Sequence, residues 1–164
     1  MLIRSIRIND AEKFLNMLKK LDRETKNMMF QPGERKTTVK DMKKKIEESL
    51  KSDSLILVAE KETEIIGYIS IKRGFAERIK HSGYVVIGVL KNYWGKGIGS
   101  KLLVYGEKWA RENKITRLEL TVMTHNIKAI ELYEKIGFKK EGVKIKSLII
   151  DGEYIDEHYM SKIF

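Results

Sequence analysis

The stretch LKNYWGKGIGSKLL, from Leu90 to Leu103, places three glycines at alternate positions between an apolar run and a segment with helical apolar spacing. Glycine lets the backbone adopt positive φ and lets a ligand approach the peptide plane closely. At a helix start, unpaired N–H groups and the positive end of the helix dipole point at the same place. The stretch therefore predicts a phosphate-binding turn. A tight turn without a ligand is the weaker alternative, because each glycine costs about 0.5–1 kcal/mol relative to alanine in a helix.

Two nucleotide-binding motifs do not fit this stretch. A Walker P-loop requires G-x-x-x-x-G-K-[ST], and the lysine here is out of register. A dinucleotide fingerprint requires G-x-G-x-x-G, and Ser100 stands at its third glycine, although Glu119 lies about where a ribose-binding acid would fall. A nucleotide-dependent oxidoreductase stays an alternative, but it needs a longer doubly wound sheet than this chain provides.

Apolar periodicity outward from this stretch predicts the order β-α-α-β-β-β-α-β-α-β-β. The first two helices are expected to begin at capping boxes, Asn9 with Glu12 and Thr38 with Asp41. The glycine stretch lies inside a strand-helix-strand unit, which implies one parallel strand pair. Asp151-Gly152 is typical of a type I′ hairpin turn. We expect one domain over residues 1–164.

Composition narrows the function. The chain has 164 residues, 42% of them hydrophobic, no cysteine and three histidines, so disulfides, thiolate metal sites and cysteine nucleophiles are excluded. No apolar run has the length of a signal peptide or a membrane span, which predicts a cytoplasmic protein without a membrane partner. The net charge of +10 suits a polyphosphate ligand, a membrane or nucleic acid. A basic nucleic-acid-binding module is a second alternative, against which the absence of zinc-finger spacing and of an RNA-recognition signature argues.

Three segments together resemble a known family. Residues 94–99 (WGKGIG) are similar to the Gln/Arg-x-x-Gly-x-Gly/Ala signature of the GNAT superfamily of acyl-CoA N-acyltransferases, with Trp94 in place of Gln or Arg. NIKAIELYEKIGF, residues 126–138, resembles the family's N-x-x-A-x-x-x-Y-x-x-x-G-F segment. Residues 141–160 are similar to the ribosomal-protein and spermidine acetyltransferase branches. The resemblance is strong from about Tyr84 to Met160 and extends to the first half mainly in element order.

The resemblance implies an α/β (α+β) fold, with a mixed, mostly antiparallel seven-stranded sheet splayed between strands 4 and 5 and flanked by four helices. It implies acetyl-CoA as co-substrate, no metal, an amine acceptor as partner, and it leaves a homodimer open. The signature amides would hold the CoA pyrophosphate, and Lys96 or Lys101 could supply charge. The free edge of the fourth strand would bind the pantetheine arm. The implied cofactor-binding residues are Ile87, Gly88, Val89, Trp94, Gly95, Lys96, Gly97, Ile98, Gly99, Ser100, Asn126 and Ala129.

The implied chemistry is acetyl transfer to a primary amine by direct attack in a ternary complex. The resemblance makes Tyr133 the general acid for the departing thiol, whereas its helical spacing alone would make it a core aromatic. Asn126 contacts pantetheine or simply caps a helix. Some members carry a glutamate base where this chain has Thr121, so Glu119 and Glu34 are the substrate-site candidates, and either could be a surface charge instead.

The acceptor is left open among a small molecule, a polyamine and a protein or peptide N-terminus. We expect it to bind between residues 27–38 and the hairpin that turns at Asp151-Gly152. The hairpin carries a cluster of carboxylates in an otherwise basic chain, and these either attract a cationic acceptor or are solvated: Asp151, Glu153, Asp156 and Glu157.

Overall fold

The computed structural model describes all 164 residues, and its strands and helices follow the predicted order. The strands are β1 (Leu2–Ser5), β2 (Leu55–Lys61), β3 (Glu64–Arg73), β4 (Ser82–Val89), β5 (Arg117–Met123), β6 (Lys139–Ile150) and β7 (Glu153–Ile163). The helices are α1 (Ala11–Glu24), α2 (Val39–Lys51), α3 (Ile98–Glu112) and α4 (Ile127–Ile136).

The seven strands form one sheet in the order β1-β2-β3-β4-β5-β7-β6. Only β4 and β5 pair in parallel, and every other neighbouring pair is antiparallel. Their pairing covers Ser82–Tyr84 against Arg117–Glu119 and stops there, so the two strands separate beyond Tyr84. The predicted splayed, mostly antiparallel sheet is confirmed. It is not the doubly wound parallel sheet that a dinucleotide site would need.

The helices cover both faces of the sheet, and each face has its own apolar core. Alternate residues of a strand point to opposite faces, so the central strands contribute to both cores. The α3 and α4 side includes Leu102 and Ile130, packed against Leu118 and Leu120 of β5. The α1 and α2 side includes Leu21 and Ile46. The gap between β4 and β5 therefore has α3 and α4 on one side and α1 and α2 on the other.

The helix starts were predicted with mixed success. Thr38 and Asp41 form the expected capping box, with the Asp41 N–H donating to Thr38 Oγ1 at 3.1 Å and the Thr38 N–H to Asp41 Oδ2 at 2.9 Å. The box predicted for Asn9 and Glu12 is wrong. A short 3₁₀ turn, Ile8–Asp10, precedes α1, and the Asp10 carboxylate accepts the Arg7 N–H at 2.7 Å.

Residues in the left-handed conformation end helix α4 and form the turn of the last hairpin. Gly137 stops α4 with φ of 101°. Asp151 and Gly152 have φ of 52° and 83°, as a type I′ turn requires at both central positions. The turn joins β6 to β7 directly, and this confirms the predicted hairpin.

Candidate active site

The glycine loop between β4 and α3 exposes a continuous row of backbone donors. Gly95 and Gly97 both have φ of 73°, a conformation that L side chains rarely adopt, and Gly97 is the N-cap of α3. A Cβ at either glycine would meet nothing within 4 Å, so both face open space. None of the six N–H groups from Gly95 to Ser100 has a hydrogen-bond partner in the chain. The loop can therefore donate several hydrogen bonds to one anion.

The third glycine serves a different purpose. A Cβ on Gly99 would lie 3.0 Å from Leu132 Cδ2, so a larger residue would require the Leu132 side chain of α4 to shift. Ile98, next to it, is buried in the core and anchors the first turn of α3. The loop thus combines two glycines required by backbone conformation with one that allows close contact between α3 and α4.

Trp94 and Lys96 are both engaged within the loop. The Trp94 indole Nε1–H donates to the Val89 carbonyl at 2.6 Å and ties the loop to the end of β4. Lys96 Nζ donates to the Asn92 carbonyl at 3.0 Å and lies 5.1 Å from the centre of the Tyr93 ring. Trp94 therefore stabilises the loop instead of presenting a charged or amide group to a phosphate.

The edge of β4 that faces the gap begins where pairing with β5 ends. Leu90 N–H donates to Ile66 on the β3 side, and alternation along the strand then turns the backbone groups of Ile87 and Val89 toward the gap. The same alternation turns the backbone groups of Gly88 toward β3. A Cβ on Gly88 would lie 2.8 Å from Leu21 Cδ1, so this glycine allows α1 to pack closely on the sheet.

Helix α4 brings three of the predicted residues to the α3 side of the gap. Asn126 is its N-cap, but the Asn126 side chain makes no capping bond, so its amide is free for another partner. Ala129 packs half-buried against the core. Tyr133 is 8% exposed and its ring lies 5.8 Å from that of Phe138.

The Tyr133 hydroxyl is the part of this side chain that is free to form a hydrogen bond. It has no partner in the chain, and the structure contains no side-chain oxygen that is both fully buried and unpaired, so the hydroxyl must reach the protein surface. Burial raises the pKa of the Tyr133 phenol, and the Tyr68 and Tyr84 hydroxyls raise it further. The phenol consequently remains protonated at neutral pH and can donate a hydrogen bond.

On the α1 side of the gap, Tyr84 and Thr121 meet across the splay. The Tyr84 hydroxyl and Thr121 Oγ1 are 2.9 Å apart, and Tyr84 is 40% exposed. Tyr84 borders a groove of about 210 Å³, here called the tyrosine groove, whose lining also includes Arg117, Glu119, Glu141 and Tyr159. Sequence reasoning missed Tyr84, because its partner is set by the β4–β5 register and nothing in the local pattern reports that register.

The carboxylates of the tyrosine groove are already paired. Arg117 Nε donates to Glu119 at 2.7 Å, and its two terminal nitrogens donate to Glu141 at 2.9 and 2.5 Å. This guanidinium lowers the pKa of the Glu141 carboxyl to about 2. Glu119, one of the predicted substrate residues, thus lies in the groove but is held by a cation.

Glu34, the other predicted substrate residue, lies elsewhere. It is exposed in the α1–α2 connection, residues 25–38, where its carboxylate accepts the Gln31 N–H at 2.9 Å and closes a local turn. Two carboxylates of the last hairpin also have local partners. Asp156 accepts the Lys146 N–H at 2.7 Å, and the buried Glu157 accepts the Ser147 hydroxyl, both where β6 departs from regular pairing.

The α1–α2 connection and the last hairpin meet at the open end of the gap. Glu24, at the end of α1, accepts the Lys91 N–H just past β4, while β7 extends beyond Met123, the last residue of β5. An ion pair between Lys26 and Asp151 joins the two sides. The region predicted to bind the acceptor is therefore a gap walled by two segments that contact each other.

The structure has no cluster of three or more His, Asp or Glu side chains that could hold a metal ion. None of its helices has both the length and the apolar character needed to cross a bilayer.

Comparison with known proteins gives the family. Residues 15–138 match the model of the acetyltransferase (GNAT) family. The L-amino acid N-acetyltransferase AaaT of Escherichia coli is 32% identical over 111 residues, which are 65% of this chain and 67% of the relative. The match spans about two thirds of the length of this relative and of an N-alpha-acetyltransferase from Sulfurisphaera tokodaii.

Solved structures match over nearly the whole chain. A GNAT-family acetyltransferase from Streptococcus pneumoniae has a TM-score of 0.96 and 32% identity, with 99% of each chain covered. A ribosomal-protein-alanine N-acetyltransferase from Brucella melitensis has a TM-score of 0.89 and 25% identity, with 100% of each chain covered. The resemblance to the ribosomal-protein branch is confirmed by this match. With its splayed sheet and glycine loop, the chain belongs to the GNAT family and is an acetyl-CoA-dependent acetyltransferase.

Proposed function

We propose that the protein transfers the acetyl group of acetyl-CoA to the α-amine of an amino acid or a peptide, by direct attack in a ternary complex. The observation that supports acetyl-CoA as the acetyl donor is the row of six unpartnered N–H groups from Gly95 to Ser100, at the start of α3. These donors suit the pyrophosphate of CoA. The pantetheine arm then follows the gap-facing backbone of Ile87 and the Val89 N–H, beside the free amide of Asn126 and the α4 residue Ala129.

The choice of an α-amine as acceptor follows from the absence of an unpaired carboxylate in the tyrosine groove. Glu119 and Glu141 are both bound to Arg117. Thr121 occupies the position where some family members carry a glutamate base. Deprotonating an ε-amine with a pKa near 10.4 costs roughly 4–5 kcal/mol at pH 7, whereas the α-amine of a peptide, with a pKa near 8, costs about 1 kcal/mol. A peptide α-amine therefore needs only water or the Tyr84–Thr121 hydroxyl pair. Amino acids are also the acceptors named for the Escherichia coli relative.

Tyr133 would complete the reaction from the α4 side. The amine attacks the thioester carbonyl, a tetrahedral oxyanion forms, and its collapse expels the CoA thiolate. A gap-facing N–H of β4 is the donor closest to the oxyanion in this arrangement. The Tyr133 hydroxyl donates to the sulfur as the carbon–sulfur bond breaks, which leaves CoA and the N-acetyl product.

Gly97→Asp tests the donor site. The new side chain faces the open side of the loop and places a carboxylate against the phosphates, so CoA affinity measured by calorimetry should fall at least roughly 100-fold. Gly152→Asp is the matched control, since Gly152 also has positive φ and open surroundings but lies in the last hairpin. Equal CoA affinity in the two variants would disprove the pyrophosphate site.

A further inference from the structure

A second cavity lies on the outer side of α1, away from the glycine loop. It has a volume of about 430 Å³ and lies between α1 and the α1–α2 connection. Its lining includes Lys19, Arg23, Arg35, Lys36 and Thr37, and no hydrophobic side chain contributes to it. We call it the cationic cavity. A lining of this kind favours a charged or polar ligand.

Three of the cations in the cationic cavity have no partner. Lys19, Arg23 and Lys36 have no carboxylate within 4 Å and donate no hydrogen bond within the chain. Lys20, next to Lys19 in α1, is by contrast within ion-pair distance of Glu24. Like charges around one cavity repel each other, and a bound anion would remove that repulsion.

The two remaining charged residues of the cavity, Arg35 and Asp22, form an ion pair with each other. Arg35 donates twice to the buried Asp22, Nε to Oδ2 at 2.7 Å and Nη2 to Oδ1 at 2.9 Å. The Arg35 guanidinium also lies 4.4 Å from the centre of the Phe30 ring. The single carboxylate of the cavity is thus neutralised, and the Thr37 hydroxyl has no partner in the chain, so it can donate to an incoming oxygen.

Tyr68 of β3 lies near both the cationic cavity and β4. The charges of Arg35 and Asp22 act on the Tyr68 phenol, whose pKa is raised to about 12 mainly by burial. The Tyr68 ring borders Gly88, where a Cβ would lie 3.0 Å from Tyr68 Cε1. The Tyr68 side chain therefore connects the surroundings of the Asp22–Arg35 pair with Gly88 of β4.

We propose that the cationic cavity binds an oxyanion, a carboxylate or a phosphate, carried by the acceptor or by a separate small molecule. Three free cations and a free hydroxyl, in a lining without hydrophobic residues, match the charge and the hydrogen-bonding needs of such a group. The oxyanion site is distinct from the glycine loop. Its assignment to the acceptor rests on the proposed function, whereas the binding of an oxyanion does not.

Calorimetric titration with inorganic phosphate, in the presence of saturating CoA, tests the site itself. The variant Lys19→Gln/Arg23→Gln/Lys36→Gln should bind phosphate at least roughly tenfold more weakly than the wild type. The control Lys43→Gln/Lys44→Gln/Lys45→Gln removes the same charge from α2 outside the cavity and should keep the wild-type affinity. Absence of phosphate binding to the wild type, or equal losses in both variants, would overturn the proposal. Failure of CoA itself to bind would contradict the proposed function separately.

Acetylation kinetics then identify the source of the oxyanion. The acceptor pair is an L-amino acid and the amine that lacks its carboxylate. If the acceptor carries the oxyanion, the cavity variant should raise KM at least roughly tenfold for the amino acid alone. If both KM values are unchanged while phosphate binding is lost, the oxyanion belongs to a separate small molecule.

Discussion

Tyr133 shows how one side chain can belong to the core and to the chemistry. Its ring packs against Phe138 in the larger apolar core, while its hydroxyl has no partner and reaches the surface. Helical spacing alone predicts only the packing, because the pattern describes which face is apolar and not where a terminal oxygen ends. The free hydroxyl is a property of the gap, which only the separation of β4 from β5 creates.

Tyr133→Phe should lower kcat by roughly 10–1,000-fold with little change in CoA affinity, because it removes the proton donor and keeps the ring. The melting temperature should stay near that of the wild type, since no hydrogen bond within the chain is lost. The raised pKa of Tyr133 also predicts how kcat depends on pH. The kcat of the wild type should show no loss attributable to Tyr133 ionisation up to its ordinary value near 10. Wild-type turnover in the phenylalanine variant would rule out the general-acid role.

At the scale of elements, the order and kind of every strand and helix could be predicted from periodicity and turn residues. The start of α1 could not, because Asp10 is held by Arg4 of β1, and a contact between elements overrides the local capping pattern of Asn9 and Glu12. The splay could be predicted only through the family resemblance. The pairing of Tyr84 with Thr121 depends on the parallel register, which apolar patterns do not specify.

The Lys26–Asp151 ion pair should affect the acceptor and not the donor. It joins the α1–α2 connection to the last hairpin across the open end of the gap, and both side chains are exposed. Exposed pairs contribute at most about 1 kcal/mol, so Asp151→Asn should raise the acceptor KM by roughly two- to fivefold and leave protein stability unchanged. Asparagine keeps the left-handed turn. Added salt should reproduce the effect in the wild type.

Lys26→Gln provides the control for this pair. It should raise the acceptor KM to the same extent, and the double variant should show no further increase, because both substitutions remove one interaction. A rise in the acetyl-CoA KM instead would mean that the hairpin acts on the donor side.

At the scale of the whole molecule, two arginines fasten the sheet near its two edges. Arg4 of the edge strand β1 bonds Glu60 of β2 at 2.6 Å and Asp10 before α1 at 2.7 and 2.9 Å. Arg117 of β5 bonds Glu141 of the opposite edge strand, β6. The Arg4–Glu60 and Arg117–Glu141 pairs join strands distant in sequence, so each should form only when its two strands have taken their places in the sheet.

Acid should therefore weaken the molecule at both edges, and Asp10→Asn isolates one of them. The hydrogen bond from Arg4 holds the pKa of the Asp10 carboxyl below its ordinary value of 3.8. A folded-state pKa that is lowered gives stability that is fully present above the unfolded pKa and is lost as pH falls through the folded one. The variant should thus lose about 1–3 kcal/mol of unfolding free energy at neutral pH, measured by urea denaturation. Its deficit relative to the wild type should shrink below about pH 4 as Asp10 becomes protonated in the wild type. A deficit that stays constant down to strongly acidic pH would show that Asp10 stabilises the fold through packing and not through its charge.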